Sequence, residues 1–547
     1  MRKRPVAGAA ALLTVCAVTC GLISAAVAAP DQAADGGRTE GAAVATATDP
    51  ITHEENDRVP EGARWTQHYF PSSDGSKTEL HADVLLPEKL PADGKVPVVL
   101  SAGAYFGHSG ELEIEEEHAG PSERFQDFME GTDLFDKGYA FVMVDTRGFG
   151  GSTGCLDLGG PGDQADVKAA IDWSAKQPWS TGAVGMYGKS FDAYTGLLGN
   201  NAKHDALKAV VAQEPIWDLY QQLHSDGVPR PNSVQVPTTY NRTATLAQLP
   251  DEDERYRTNA AYEEKHPECL ALNSYGPSIG DPDDSYWKER SPAGNAKGTD
   301  TPLLFTQGTT ETNTLPVGME EFLGHHNGPQ RAWIGPWDHV RGNDRTQDGK
   351  FAMGRATWFE ETLSFFDEHL KGVDPKTRYP DYAVQDSLGK WRAEKTWPAA
   401  NRSANLRLGN GSYVDSGAGS QPAPPQEGTG PDAGSFFVWS EPLAADTRVD
   451  RDRLDIGLKS TDWTLRAGHR LAVEIGSVRT GDWLDTPSKQ QVRISGARLH
   501  LPLDNPAEDT ATSGDRAPFL DTFTQINAAK LKPGPATFSV PPAGARD

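Results

Sequence analysis

The sequence predicts an α/β fold: a mostly parallel sheet covered by helices on both faces, an inserted helical cap, and an antiparallel β-sandwich after it. Three observations lead there. Short apolar runs alternate with helix-spaced segments up to about residue 216, the rhythm lapses from 217 to 298, and it returns between 299 and 384. Beyond Val384 the composition shifts to Gly, Pro and Ser turns between short alternating stretches. At 547 residues the chain exceeds what one core holds, since single cores stop growing near ~250–300 residues, and 37% hydrophobic content can fill more than one.

At the N-terminus, Arg2, Lys3 and Arg4 precede an uncharged Ala/Val/Leu-rich run that ends in Ala26-Val27-Ala28, so residues 1–29 are expected to be a secretion signal. A retained membrane anchor is the alternative. The run is broken by Thr14, Thr19 and Ser24 and lacks a basic stop-transfer cluster, which favours cleavage. Cys16 and Cys20 lie within it without the small preceding residue of a lipoprotein site. Residues 30–65, rich in Ala, Gly, Asp and Thr, are expected to be a flexible leader, with the fold starting near Thr66. The expected product is extracellular and, once the signal is removed, has no membrane segment.

The first part of the α/β domain is placed at 66–216. Within it, 81–87, 96–101 and the apolar 140–145 are expected strands, 166–176 a helix, 184–187 a strand followed by a helix after Ser190, and 209–212 a strand. Residues 217–298, polar and aromatic with clustered acids at 251–254, are expected to form the cap. The second part, 299–384, carries strands at 303–306 and 331–334 and a closing helix at 357–370. The sandwich takes 385–547.

A net charge of −25 argues against nucleic acid as a partner, because phosphate binding needs basic patches. Cys155 and Cys269 would remain after signal removal; one disulfide and two buried thiols both fit, and their spacing matches no zinc or redox motif. His325-His326 has no acidic partner at ligand spacing and reads as a solvated loop. No metal or cofactor is expected.

The chemistry-bearing stretch is Val184-Gly-Met-Tyr-Gly-Lys-Ser190-Phe-Asp-Ala193, where an apolar run ends at a serine and a helix-compatible segment follows. A serine on such a strand-to-helix turn projects its hydroxyl above the sheet, and the amide of Phe191 points at the same space to bind an oxyanion. Asp192 stands where a small residue is usual. A serine nucleophile needs a histidine base, and the histidine needs a carboxylate. Each later strand ends in a candidate: Gln307-Gly-Thr-Thr-Glu311 supplies the acid and Gly335-Pro-Trp-Asp-His339 the base. Asp338 is too close in sequence to orient its neighbour's ring. The Gly-rich Arg147–Ser152 lacks the lysine of a phosphate loop and reads as a tight buttressing loop, and the Glu111–Glu117 run as a solvated face.

With these residues in view, the chain resembles the superfamily of Xaa-Pro dipeptidyl-peptidases, cocaine esterases and α-amino-acid ester hydrolases. The matching stretches are Ala104-Tyr-Phe-Gly107, Asp145-Thr-Arg-Gly-Phe-Gly-Gly-Ser-Thr-Gly154, Asp166 through Gly182, the serine turn, Gly335–His339, and Asp386 through Pro398. The resemblance implies an α/β-hydrolase domain, a helical cap and a C-terminal jelly-roll. It also implies Ser190 as nucleophile, His339 as base and Tyr105 as a phenolic donor completing an oxyanion hole with Phe191. Departures are Phe191 where Tyr is usual, Ala193 for Gly, Glu311 for Asp, and Thr312 and Asn313 where ammonium-binding carboxylates are expected.

The expected protein is thus a secreted, cofactor-independent serine hydrolase working through an acyl-enzyme. Its leading substrate is a short peptide with proline next to the scissile bond, with Trp217 and Asp218 as ring pocket and ammonium partner or else as caps of the preceding strand. The alternatives are a small-molecule esterase or amidase and an inert carbohydrate-binding protein.

Overall fold

The computed structural model describes residues 51–52, 56–225, 227–400, 402–415, 435–444, 447–451, 461–476, 484, 487–526 and 534–542. The expected secretion signal lies outside them. Among the described residues no helix is long and apolar enough to cross a membrane.

Among the described residues the main sheet has twelve strands. In chain order they begin with β1 (Ile51–Thr52), β2 (Ala63–Pro71), β3 (Glu79–Pro87), β4 (Val96–Gly103), β5 (Ala140–Asp145), β6 (Ser180–Lys189) and β7 (Leu207–Gln213). After a small hairpin in the cap, β8 (His224–Ser225) with β9 (Val228–Pro229), come β10 (Leu303–Gly308), β11 (Gln330–Gly335), β12 (Tyr382–Gln385) and β13 (Trp391–Glu394). The spatial order β5-β4-β6-β7-β10-β11-β12 is parallel throughout. Antiparallel strands flank it, β3, β2 and β1 on one side and β13 on the other.

Period-two alternation explains why these runs read as continuously apolar: both faces are covered. Val98, Leu100, Val142, Val144 and Val210 face one core with Val167, Ala170, Ile171 and Leu197 of α2 (Pro161–Lys176) and α3 (Phe191–Asn201). Val99, Phe141, Met143 and Val211 face the other, against Phe365, Phe366 and Leu370 of α12 (Trp358–Lys371) and Phe128 of α1 (Gln126–Gly131).

The cap is helical as expected: α4 (Leu219–Leu223), α5 (Asn232–Ala244), α6 (Glu254–Ala260), α7 (Tyr262–Lys265), α8 (Pro267–Tyr275), α9 (Ser285–Glu289) and α10 (Pro292–Asn295). A short α11 (Met319–His325) lies between β10 and β11. The Cys155–Cys269 disulfide ties the loop after the Gly-rich turn to α8. Of the two sequence readings, pairing is the one realised.

Two boundaries differ from expectation. The fold starts before Thr66: Ala63 opens β2, and Ile51–Thr52 pairs with it, because Ala63 and Trp65 already alternate inward. The hydrolase sheet does not end at Val384: β12 pairs with β13, which in turn pairs with β22 (Thr510–Ala511). The remaining described strands form a four-stranded antiparallel sheet from β14 (Arg402–Arg407), β17 (Thr447–Arg451), β18 (Thr461–Leu465) and β21 (Arg498–Asp504). A two-stranded sheet joins β15 (Gly411–Val414) to β20 (Gln491–Ile494). A three-stranded one joins β16 (Ser435–Ser440), β19 (Ala472–Gly476) and β23 (Ala536–Phe538), with β23 parallel to β16.

Candidate active site

The turn carrying Ser190, the candidate nucleophile, forms where β6 stops and α3 begins. Ser190 sits between them at φ 62°, ψ −120°, a backbone conformation that non-glycine residues adopt at a cost of about 1–3 kcal/mol. Its N–H donates to the Gln213 carbonyl at 2.9 Å, which anchors the strained residue to β7. Gly188 is needed two residues earlier, because a Cβ there would run into the Asp192 backbone. The first amides of α3 have no intrahelical acceptor, so the Phe191 N–H is available in type to an oxyanion at this helix start.

Asp192, which departs from the usual small residue, is explained by Arg124. The Arg124 Nε donates to Asp192 Oδ2 at 2.5 Å, Nη1 to Glu111 Oε2 at 2.7 Å and Nη2 to the Lys189 carbonyl at 3.1 Å. The same guanidinium lies 4.2 Å from the Tyr105 ring centroid. One buried arginine therefore holds the serine turn, the acidic loop and Tyr105 together. Glu111 is thus a structural partner rather than part of a merely solvated face.

At the ends of β10 and β11, the acid and base loops are laced. The Thr309 N–H donates to the Gly335 carbonyl at 2.8 Å and the Thr310 hydroxyl to the Trp337 carbonyl at 2.9 Å. This brings Glu311 Oε2 to 3.0 Å from His339 Nδ1. Glu311 is fully buried, and its Oε1 accepts the Asn313 and Thr314 N–H groups at 2.7 and 3.1 Å. An Nδ1–H donated to this carboxylate leaves Nε2 as the basic nitrogen. His339 is joined to the serine turn as well, since Lys189 Nζ donates to its carbonyl at 3.1 Å.

Two residues of this site were not anticipated from sequence. Glu214, directly after β7, accepts the Trp337 indole N–H and the Gly308 N–H, each at 2.8 Å, and so pins both loops from below. Burial first, and then the Glu311 charge, push its pKa well above the ordinary range. Tyr240 of α5 lies 2.7 Å, hydroxyl to hydroxyl, from Tyr105, and burial raises the Tyr105 phenol to about 12. Both phenols therefore stay protonated donors at neutral pH. The strand-end position of Glu214 was a usable signal; nothing local pointed to Tyr240.

Trp217 and Asp218, expected as ring pocket and ammonium partner or as strand caps, are both engaged in protein contacts. Trp217 is fully buried, its indole N–H donates to Gln307 Oε1 at 2.7 Å, and its ring packs against Phe305 and Phe322. Asp218 caps α4 by accepting the Gln221 N–H and takes the Ser291 hydroxyl at 2.5 Å. Neither residue caps the preceding strand: Asp218 caps the helix that follows, and Trp217 packs into the core. Asp218 does line a cavity of about 1350 Å³ with Tyr220, Trp287, Gly318 and Trp397, but Ser190, Glu311 and His339 do not line it. The His325-His326 reading is likewise corrected: His326 is buried and bonded to Thr299, and burial lowers its pKa to about 4.

Residues 74–341 match the family model described as X-Pro dipeptidyl-peptidase (S15 family). A Streptomyces avermitilis protein carrying the name Xaa-Pro dipeptidyl-peptidase is 25% identical over 465 residues, covering 80% of this chain and 61% of its own length. The chain thus spans about three-fifths of that relative. The cocaine esterase of a Rhodococcus species is 25% identical over 449 residues, covering 72% of this chain and 73% of the esterase. A solved α-amino acid ester hydrolase superposes with a TM-score of 0.56 at 16% identity, covering 83% of this chain and 98% of that one, a likeness of fold. Residues 74–341 thus match the S15 family model, and the chain is similar in sequence to proteins named Xaa-Pro dipeptidyl-peptidase and cocaine esterase, which indicates a serine hydrolase, and similar in fold to an α-amino acid ester hydrolase.

Proposed function

We propose that the protein is a serine acyl hydrolase that works through an acyl-enzyme. The observation that carries this reading is the Glu311–His339 pair at 3.0 Å beside the strained Ser190 turn. The Ser190 hydroxyl attacks the substrate carbonyl carbon while His339 Nε2 takes its proton. The tetrahedral oxyanion is met by the Phe191 N–H and the Tyr105 hydroxyl, and His339 then returns the proton to the leaving group. Water, deprotonated by the same imidazole, releases the acyl group and restores Ser190.

The substrate we propose is a short peptide with proline next to the scissile bond, supported by the S15 match and by the name of the Streptomyces relative. A small ester or amide is the second reading. It is favoured by the engagement of Asp218 and by Thr312 and Asn313 standing where carboxylates were expected. Hydrolysis of Ala-Pro-p-nitroanilide, its N-acetylated form and p-nitrophenyl acyl esters separates the two. The peptidase reading expects the free anilide to be cleaved far faster than the acetylated one; equal rates, or turnover of esters alone, would move the protein to the esterase side. We further propose export directed by residues 1–29 and a jelly-roll arrangement of the C-terminal strands. N-terminal sequencing of protein recovered from culture medium tests the export: a chain beginning near residue 30 supports it.

A further inference from the structure

On the far side of the oxyanion loop, β3 and the cap enclose a cluster that the proposed reaction does not use. His81 and Asp83 are alternate residues of β3 and share one face. His108 comes from the loop after β4 that also carries Tyr105. All three are at most 1% exposed, and their ligand atoms lie within 4.8 Å of one another. His108 Nε2 is 3.0 Å from Asp83 Oδ2, His81 Nε2 is 3.8 Å from Asp83 Oδ1, and Gln67 Oε1 is 3.1 Å from His81 Nε2. The far nitrogen of each ring rests on its own carboxylate: His81 Nδ1 on Asp145 Oδ2 at 2.8 Å, and His108 Nδ1 on Glu252 Oε2 at 2.7 Å.

Protons on both Nδ1 atoms leave the Nε2 lone pairs of His81 and His108 facing the Asp83 carboxylate, with Gln67 Oε1 beside that of His81. Their spacings of 3.0–3.8 Å bracket the edge of a tetrahedron, about 3.3 Å for bonds of ~2.0–2.1 Å. A carboxylate behind each imidazole is the support that histidine metal ligands use to fix tautomer and ring orientation. We propose that His81, His108 and Asp83, with Gln67 as fourth donor, bind one zinc ion in a closed structural site. Two imidazoles with two oxygen donors suit zinc better than magnesium or calcium. Glu252 and Tyr256 belong to the cap, and Tyr256 stacks on His108 at 4.3 Å and accepts its N–H at 3.2 Å. The metal would therefore clamp the cap and the Tyr105 loop to β3 and β2. The competing occupant is a proton: against the desolvation that lowers it, Asp83 and Glu252 hold His108 at about 10. Separations of 2 and 25 residues match no linear motif, so the sequence raised no expectation of a metal.

The test uses the full chain, stripped with a chelator and dialysed against Zn²⁺ alone. One zinc per chain by plasma mass spectrometry is expected, with X-ray absorption showing N/O ligands at about 2.0 Å and no sulfur. The apparent Tm should rise by about 5 °C over the stripped protein. His81→Gln and Asp83→Asn should each lose the zinc, and His326→Gln should keep it. If neither cluster variant folds, the wild-type measurements decide. Zinc below a tenth of an equivalent with an unmoved Tm, or full zinc retention in folded His81→Gln and Asp83→Asn, would overturn the site.

Discussion

Replacing Glu311 by Gln tests the acid through its wiring. Its two oxygens have different duties: Oε1 accepts two backbone N–H groups, and Oε2 faces His339 Nδ1 at 3.0 Å. A glutamine amide must keep its oxygen toward those backbone donors, so its NH₂ is forced toward His339. The imidazole then accepts on Nδ1 and carries its proton on Nε2, the nitrogen that should be the base. Loss of charge and the wrong tautomer together cost about 10⁴-fold in turnover in such triads, close to 5.4 kcal/mol of transition-state stabilisation. Thr314 Oγ1, 3.3 Å from Nδ1, remains to hold the ring, and the isosteric change leaves the buried contacts in place. The assay is steady-state hydrolysis of p-nitrophenyl acetate, with Asp300→Asn as control, since Asp300 acts on His326 rather than on His339. A loss under tenfold in Glu311→Gln with an unchanged Tm would refute the assignment, as would a large loss in the control.

Three further outcomes follow from the same geometry. Ser190→Gly should abolish turnover yet hold or raise the Tm, because glycine relieves a strain of about 1–3 kcal/mol at φ 62°; a fall of several degrees in a thermal scan would contradict the strained turn. Tyr105→Phe should lower kcat by roughly 10²–10³-fold as one oxyanion donor is lost, whereas Tyr240→Phe, one hydroxyl further out, should cost tenfold or less; equal losses would make Tyr240 the donor. Glu361, buried beneath Trp333, is raised by burial to about 7. Between pH 4.5 and 7 the unfolded chain releases a proton that the folded chain keeps, so stability falls as pH rises through that window and levels off above it. Glu361→Gln keeps an acceptor for the Trp333 N–H and removes this loss, so its advantage should be absent at pH 4 and reach roughly 3 kcal/mol at pH 8; a pH-independent difference in chemical denaturation would contradict it.

The proposed triad was legible because parallel strands deliver functional groups at their carboxyl ends, and Ser190, Glu311 and His339 each follow an apolar run there. The same rule misled for Trp217 and Asp218: a position just past a strand end does not say which way a side chain turns, and both turned into protein contacts. Glu214 obeyed the rule and was passed over. Tyr240 reaches the site only through the packing of the cap, and Arg124 joins the serine turn to the Glu111 loop, two segments that no local pattern connects. The Ala63 start was readable in the inward alternation of Ala63 and Trp65. The extension of the sheet to Thr510–Ala511 was not, because pairing across more than a hundred residues leaves no short-range trace.

The central claim, that Ser190 is the nucleophile of a working triad, is tested most directly by peptide mapping after reaction with a fluorophosphonate. The account predicts a single adduct on the peptide bearing Ser190, absent in Ser190→Ala and strongly slowed in His339→Ala. An adduct on another serine, or labelling that persists in Ser190→Ala, would contradict it.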